Sequence, residues 1–253
     1  EYLAFADSDD WVEPDWLERL YTIAKKLQAD IVVSDFYEEY PQKTIIRSKD
    51  DNSIIVLNKK EALLLTFQNR ITSYLWSMLI RRDIAQERFA PYRAFEDYAT
   101  LFAWMRHANK VVMLHTPLYH YRQSANSCLH NNKKQNLIDW INATIARYEL
   151  IKGTPFMQEN TPQINAAYIC SLVKGVKDVV RSPYDNEFKQ SLLRKVSIEI
   201  KSVQLSSPYK QLGLKYFLRY QLLSQNIKFF KFIIEKTAVF SFHQNNRKDG
   251  LYS

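Results

Sequence analysis

Two rhythms of apolar and polar positions divide this chain. From Glu1 to Arg122 short apolar runs alternate with stretches of helical spacing, and from Lys133 onward the spacing is helical throughout. Tyr2-Leu3-Ala4-Phe5-Ala6 predicts a buried strand, because a short apolar run bounded by turn residues suits a strand enclosed on both faces. It runs straight into Asp7-Ser8-Asp9-Asp10. Pro14 then sits where a helix starts, Asp15 and Glu18 fall in its first turn, and Leu17, Leu20, Tyr21, Ala24 and Leu27 recur at helical spacing. Residues 30–37 predict a strand, and 44–47 and 53–57 flank a polar turn and predict a hairpin. Asn58 predicts the cap of a helix over 59–68, and 73–82 fits either a buried strand or a short helix. Glu96 and Asp97 open a helix with apolar positions at Leu101, Phe102, Trp104 and Met105. Two strands follow, 110–115 and 118–122, divided by Pro117.

The later rhythm predicts helices over 135–152, 163–181, 186–203 and, with a break, 209–242. Asn, Ser and Lys crowd residues 126–135, which marks the expected domain edge. The organisation expected is an α/β domain over 1–130 followed by a helical, basic region over 131–253.

Composition narrows the chemistry. The chain has 253 residues, and 46% apolar content is enough for a packed core. Its four glycines are Gly153, Gly175, Gly213 and Gly250, so the first half carries no Gly-rich phosphate cradle. A phosphate would have to be held by a metal, by Arg or Ser, or by a helix N-terminus. Cys128 and Cys170 lack the spacing of a zinc site or a disulfide framework, and no uninterrupted apolar run approaches ~18 residues. The expectation is a cytoplasmic chain. The net charge is +8, and residues 201–253 hold nine Lys or Arg against Glu235 and Asp249. Between 214 and 242 those bases interleave with Phe217, Phe229, Phe230 and Phe232, which suits a basic amphipathic helix on an anionic membrane surface or a helix packed on its own domain. No nucleic-acid motif accompanies the pattern, so nucleic acid is not an expected partner.

Three clusters could carry chemistry. Carboxylates gathered at the end of a buried strand repel one another, and a hard divalent cation relieves that cost. Asp7 and Asp9, two apart on a turn, could share one phosphate-bound ion; equally, Asp-Ser-Asp-Asp could serve only to introduce the next helix. Glu96 and Asp97 stand at the positive end of a helix, which favours their ionised state and suits a general base. The same pair could be the acids that helix starts ordinarily carry. Tyr119-His120-Tyr121-Arg122, with Ser127 beyond it, offers a guanidinium fork and a hydroxyl for phosphate oxygens, or simply a solvated strand end.

The order of these clusters is more specific than any one of them. "EYLAFADSDDWVEPDWLERLY", "ADIVVSDF", "LWSMLIRRDI", "FEDYATLFAWMRHANKVVML" and "TPLYHYRQSANS" resemble the family 2 glycosyltransferases of bacterial surface-polysaccharide and teichoic-acid synthesis, over residues 1–127. The resemblance implies a partial GT-A (Rossmann-like) nucleotide-sugar transferase domain, followed by a C-terminal α-helical region. It implies that Asp7 and Asp9 form the DXD motif, Asp7 near the nucleotide ribose and Asp9 on a Mn²⁺ or Mg²⁺ ion, with Asp10 behind them. Asp97 matches the catalytic base, with Glu96 beside it. Arg122 and Ser127 match a loop that grips the donor diphosphate, and Trp76 matches a wall of the sugar and acceptor site. The implied reaction moves a sugar, with inversion, from a nucleotide-diphosphate donor to a hydroxyl of a glycan or lipid-linked acceptor. The implied place is the cytoplasm, peripherally at the inner face of the cell membrane. Family members begin with a further nucleotide-binding portion, and nothing here resembles its P-x-Y-N or D-D-G-S motifs. The alternative is therefore an inactive remnant that acts only through membrane or protein contacts.

Overall fold

The longest strands lie at the centre of the sheet. The computed structural model describes residues 1–48, 51–123 and 134–225. In it β3 (Ile31–Tyr40) runs parallel to β7 (Lys110–Arg122). Ile31, Val32 and Val33 face Val111, Val112 and Met113 in register, and Ile31, Val32, Val111 and Val112 are fully buried. A strand covered on both faces needs such a run rather than an alternation. On one side of this pair lie β6 (Met78–Arg81), antiparallel to β3, and β1 (Tyr2–Ala4), antiparallel to β6. On the other, β5 (Ile54–Asn58) and β2 (Trp11–Val12) run antiparallel to β7. The result is a mixed seven-stranded sheet.

Two expectations about strands are corrected. Residues 44–47 and 53–57 do not form a hairpin with each other: β4 (Lys43–Arg47) folds back on β3, and β5 pairs with β7. Pro41 and Gln42 close the tight turn between Tyr40 and Lys43, and so fix β4 on β3. Asn52, in the left-handed region at φ 53°, then directs the chain towards β7 by donating its N–H to the His115 carbonyl. Residues 110–115 and 118–122 form one strand instead of two. Pro117 offers no N–H to the ladder, and β3 absorbs the gap through a register shift at Asp35. The ambiguous stretch 73–82 resolves into a 3₁₀ turn, Leu75–Ser77, leading into β6.

Helices cover the sheet. α1 (Trp16–Leu27) inserts Trp16, Leu20 and Ala24 against Val32, Phe36, Leu79, Val112 and Leu118. α2 (Lys59–Phe67) starts with a reciprocal cap: the Asn58 side chain accepts the Glu61 N–H at 3.0 Å, and the Glu61 carboxylate accepts the Asn58 N–H at 2.9 Å. α3 (Glu96–Met105) is buried along nearly its whole length, from Tyr98 to Met105. α4 (Lys134–Glu149) packs beside it and buries Asp139 and Arg147 as well as Leu137 and Ile141. Asp30, itself buried, accepts N–H groups from Asn109 and Lys110 and pairs with Arg81, so one carboxylate ties the ends of β3, β6 and β7.

By its contacts the chain forms two compact units, one over Glu1–Ile164 and one from Asn165 onward. The domain edge expected at 126–135 falls almost wholly outside the described residues. α5 (Pro155–Arg181) begins earlier than the sequence predicts and accommodates Pro162 by a kink at Asn160 (φ −123°, ψ 17°). The described residues of the second unit are mainly helical. There Tyr168 donates to Glu199 at 2.8 Å, and Asp185 caps α6 (Asn186–Ser202) by accepting the Phe188 N–H at 2.8 Å. α7 (Pro208–Gln225) breaks at Gly213, whose φ of 69° suits glycine. The remainder of the helix expected to reach 242 lies outside the described residues. No helix among the described residues is long and apolar enough to cross a membrane.

Candidate active site

β1 ends at Ala4 and is a half-buried edge strand, not the buried strand expected over residues 2–6; beyond it the run of polar residues from Asp7 favours a turn. The turn closes when the Asp10 N–H donates to the Asp7 carbonyl at 3.2 Å. Its organiser is Tyr119, far along the chain on β7. The Tyr119 hydroxyl accepts the Asp7 N–H at 2.9 Å and donates to Asp10 Oδ2 at 2.9 Å. Asp10 Oδ1 accepts the backbone N–H of Arg122 at 2.8 Å. Asp10 is therefore spent on holding the turn to β7. The Asp7 and Asp9 carboxylates make no hydrogen bond to the described residues and stay exposed. Desolvation, with the charges of Asp9 and Glu96 adding to it, lifts the Asp7 carboxyl above its ordinary range. Two crowded, unpartnered carboxylates of this kind suit a hard cation. Among the described residues no three His, Cys, Asp or Glu side chains form a closed metal cage, so such an ion would draw its other ligands from substrate or water.

The second acidic cluster opens α3. Phe95 precedes it in the left-handed region (φ 63°, ψ 23°), which turns the chain into the helix. Burial pushes the Asp97 carboxyl up to about 7; the neighbouring Glu96 and Asp7 charges add to the shift, and the Tyr98 N–H, donating at 2.6 Å, opposes it. The helix dipole was expected to keep this group ionised. It is outweighed: moving from 3.8 to about 7 corresponds to roughly 4 kcal/mol against ionisation, whereas a helix terminus supplies ~0.3–1 kcal/mol in favour. The mutual influence of Asp7, Asp9, Glu96 and Asp97 brings the two acidic clusters into one electrostatic environment.

An aromatic wall backs the turn. Trp76, only 7% exposed, stacks on Tyr119 with ring centres 4.4 Å apart and on Tyr74 at 4.8 Å. It stands behind the acidic turn and offers little open surface to a sugar. Arg122 is exposed at the end of β7, with its guanidinium 5.5 Å from the Trp11 ring centre. Trp11 stacks on His120 (5.0 Å), which stacks on Tyr37 (4.4 Å), and the two His120 ring nitrogens lie 2.8 and 3.1 Å from Glu39 and Glu13. Ser127 lies outside the described residues. No local spacing marks Tyr119 as the organiser. Its one signal was a place in the same aromatic run as Arg122.

Residues 1–89 match Glycosyl transferase family 2. The chain is 28% identical over 167 residues to the putative glycosyltransferase EpsH of Bacillus subtilis, which covers 63% of this chain and 46% of EpsH. It is 30% identical over 133 residues to the uncharacterized glycosyltransferase EpsJ of the same organism, covering 50% of this chain and 39% of EpsJ. The chain thus spans less than half the length of these curated relatives. The crystal structure of S. aureus TarS 1-349 in complex with UDP-GlcNAc superposes with a TM-score of 0.64 at 12% identity, over 96% of this chain and 68% of that one. That likeness establishes the shared fold, which is the GT-A fold, present here in part. Over residues 1–89 the chain is similar to glycosyl transferase family 2.

Proposed function

We propose that this chain transfers a sugar from a nucleoside-diphosphate donor to an acceptor hydroxyl with inversion, Asp97 acting as the base. The observation that carries the reading is the desolvated Asp97 carboxyl, poised near neutrality beside the Asp7 and Asp9 turn. A base is most effective when its pKa lies near the working pH. In the reaction the acceptor oxygen attacks the anomeric carbon, the bond from that carbon to the diphosphate oxygen breaks, and Asp97 takes the hydroxyl proton as the nucleoside diphosphate leaves. Asp7 and Asp9 would hold Mn²⁺ or Mg²⁺. Such an ion neutralises charge on a leaving diphosphate. Arg122 and Ser127 bind diphosphate oxygens, while Tyr119 and Asp10 keep the turn in place. Trp76 closes the sugar side from behind through Tyr74 and Tyr119.

TarS, which shares the fold, was crystallised with UDP-GlcNAc, and this supports a nucleotide-sugar donor here. The family resemblance supports a glycan or lipid-linked acceptor and a part in cell-surface polysaccharide or teichoic-acid-type synthesis. The basic excess of residues 201–253 supports a place on the inner face of the membrane. The test is calorimetric titration of the chain with UDP and Mn²⁺, followed by turnover of UDP-GlcNAc. Binding that needs Mn²⁺ and is lost in Asp9→Asn, with turnover lost in Asp97→Asn, is the expected result. Normal turnover by Asp97→Asn would remove it from the role of base.

A further inference from the structure

Asp139 is an acid with no part in the chemistry above, yet it is 1% exposed. Its Oδ2 accepts the backbone N–H groups of Arg93 at 3.0 Å and Ala94 at 3.2 Å, and its Oδ1 accepts from Gln135 at 2.7 Å. A buried carboxylate is tolerated when its lone pairs are filled, and these are strong bonds because the acceptor is ionic. The two amides belong to the residues just before Phe95, whose left-handed backbone is uncommon and strained for a bulky side chain. Such a conformation persists only where its surroundings impose it. The residue after Asp139 completes the grip: Trp140 meets the Phe95 ring edge-on at 5.0 Å and stacks on Tyr98 at 4.9 Å. Arg147, two turns further along α4 and fully buried, sets its guanidinium 3.8 Å from the Tyr98 ring centre.

We propose that Asp139 is a positioning residue: by anchoring the Arg93 and Ala94 amides it holds Phe95 left-handed, and so aims Glu96 and Asp97 at the Asp7 and Asp9 turn. The inference rests on the reading of Asp97 as the base. α4 is then the jig for the α3 end of the site. Without the carboxylate, Phe95 relaxes to an ordinary backbone conformation and the first turn of α3 swings towards water.

The test follows the Asp97 carboxyl by ¹³C NMR titration, assigned with Asp97→Asn, together with amide hydrogen exchange in the full chain. In Asp139→Ala the Arg93 and Ala94 amides should exchange at least about tenfold faster, the cost of losing a charged acceptor. The Asp97 titration should fall by about one pH unit or more as the group gains water. Asp139→Asn keeps an oxygen for the same amides and should stay within about twofold of the parent in both readouts. UDP-GlcNAc hydrolysis should lose kcat in Asp139→Ala with KM unchanged. If Asp139→Ala does not fold, Asp139→Ser, whose hydroxyl falls short of the two amides, takes its place. An unmoved Asp97 titration in a folded Asp139→Ala or Asp139→Ser protein would overturn the proposal, since a purely structural acid lowers stability without touching that titration. So would an Asn variant that behaves like Ala. Failure of Asp97 as base shows separately, as undiminished turnover in Asp97→Asn.

Discussion

Replacing Tyr119 with Phe isolates the hydroxyl that pins the acidic turn. The ring stays: its stacking on Trp76 at 4.4 Å and its edge contact with Trp16 at 6.0 Å need no oxygen. Two hydrogen bonds go, the one from the Asp7 N–H and the one to the Asp10 carboxylate. A neutral bond contributes about 0.5–1.5 kcal/mol and a bond to a charged group about 1.5–3 kcal/mol. Both sites are only partly buried, so water replaces some of the loss, and the expected destabilisation is about 2 kcal/mol in urea or guanidinium unfolding. Asp10 keeps the Arg122 N–H, so the turn loosens without opening fully. Asp7 then no longer holds a fixed place beside Asp9, and affinity for Mn²⁺ with UDP should fall by about tenfold, as when an outer-shell partner of a metal ligand is removed. The refuting result is a Tyr119→Phe protein that binds Mn²⁺ and UDP as the parent does and unfolds at the same denaturant concentration. The hydroxyl would then be incidental to the turn.

Two further predictions concern buried acids. Asp97 has its folded pKa raised from 3.8 to about 7, so the folded state holds the proton more tightly than the unfolded chain, and stability should decline as pH rises from about 4 to about 7. Asp97→Asn should flatten that decline, and relative to the parent should gain roughly 3–4 kcal/mol between pH 4 and pH 8 in unfolding experiments; parallel pH profiles for the two proteins would contradict it. Asp30→Ala strips the acceptor from the Asn109 and Lys110 amides, while Arg81 keeps its existing pair with Asp83, so the cost should be about 2–4 kcal/mol by urea unfolding. A cost below about 1 kcal/mol would mean that water takes the place of the carboxylate.

What the sequence disclosed was local. α1 was legible because Leu20 and Ala24 repeat on one face, and α2 because Asn58 is a capping residue set just before its first turn. The local placement of the candidate acids was legible for the same reason, since a turn after a strand and the first turn of a helix are short-range patterns. Strand partners were not. β4 and β5 are both short five-residue strands, and only the Pro41-Gln42 turn and the crossing at Asn52 decide that one joins β3 and the other β7. The protonation of Asp97 was hidden because its desolvation comes from packing around α3, which no spacing in 95–98 records. Tyr119 was hidden as well, because its two hydrogen bonds span 112 and 109 positions of chain.

The slip between β3 and β7 at Pro117 has a consequence for how this protein can vary. Ser34 faces Leu114, yet Asp35, the very next residue, faces Pro117, so β7 spends three positions where β3 spends one. The offset delivers Tyr119 opposite Phe36 and beneath the acidic turn. Side chains alternate along a strand, so losing or gaining a single residue between Leu114 and Tyr119 would send the phenol to the opposite face and leave the aspartates without their anchor. This stretch should tolerate a change of letter far better than a change of length.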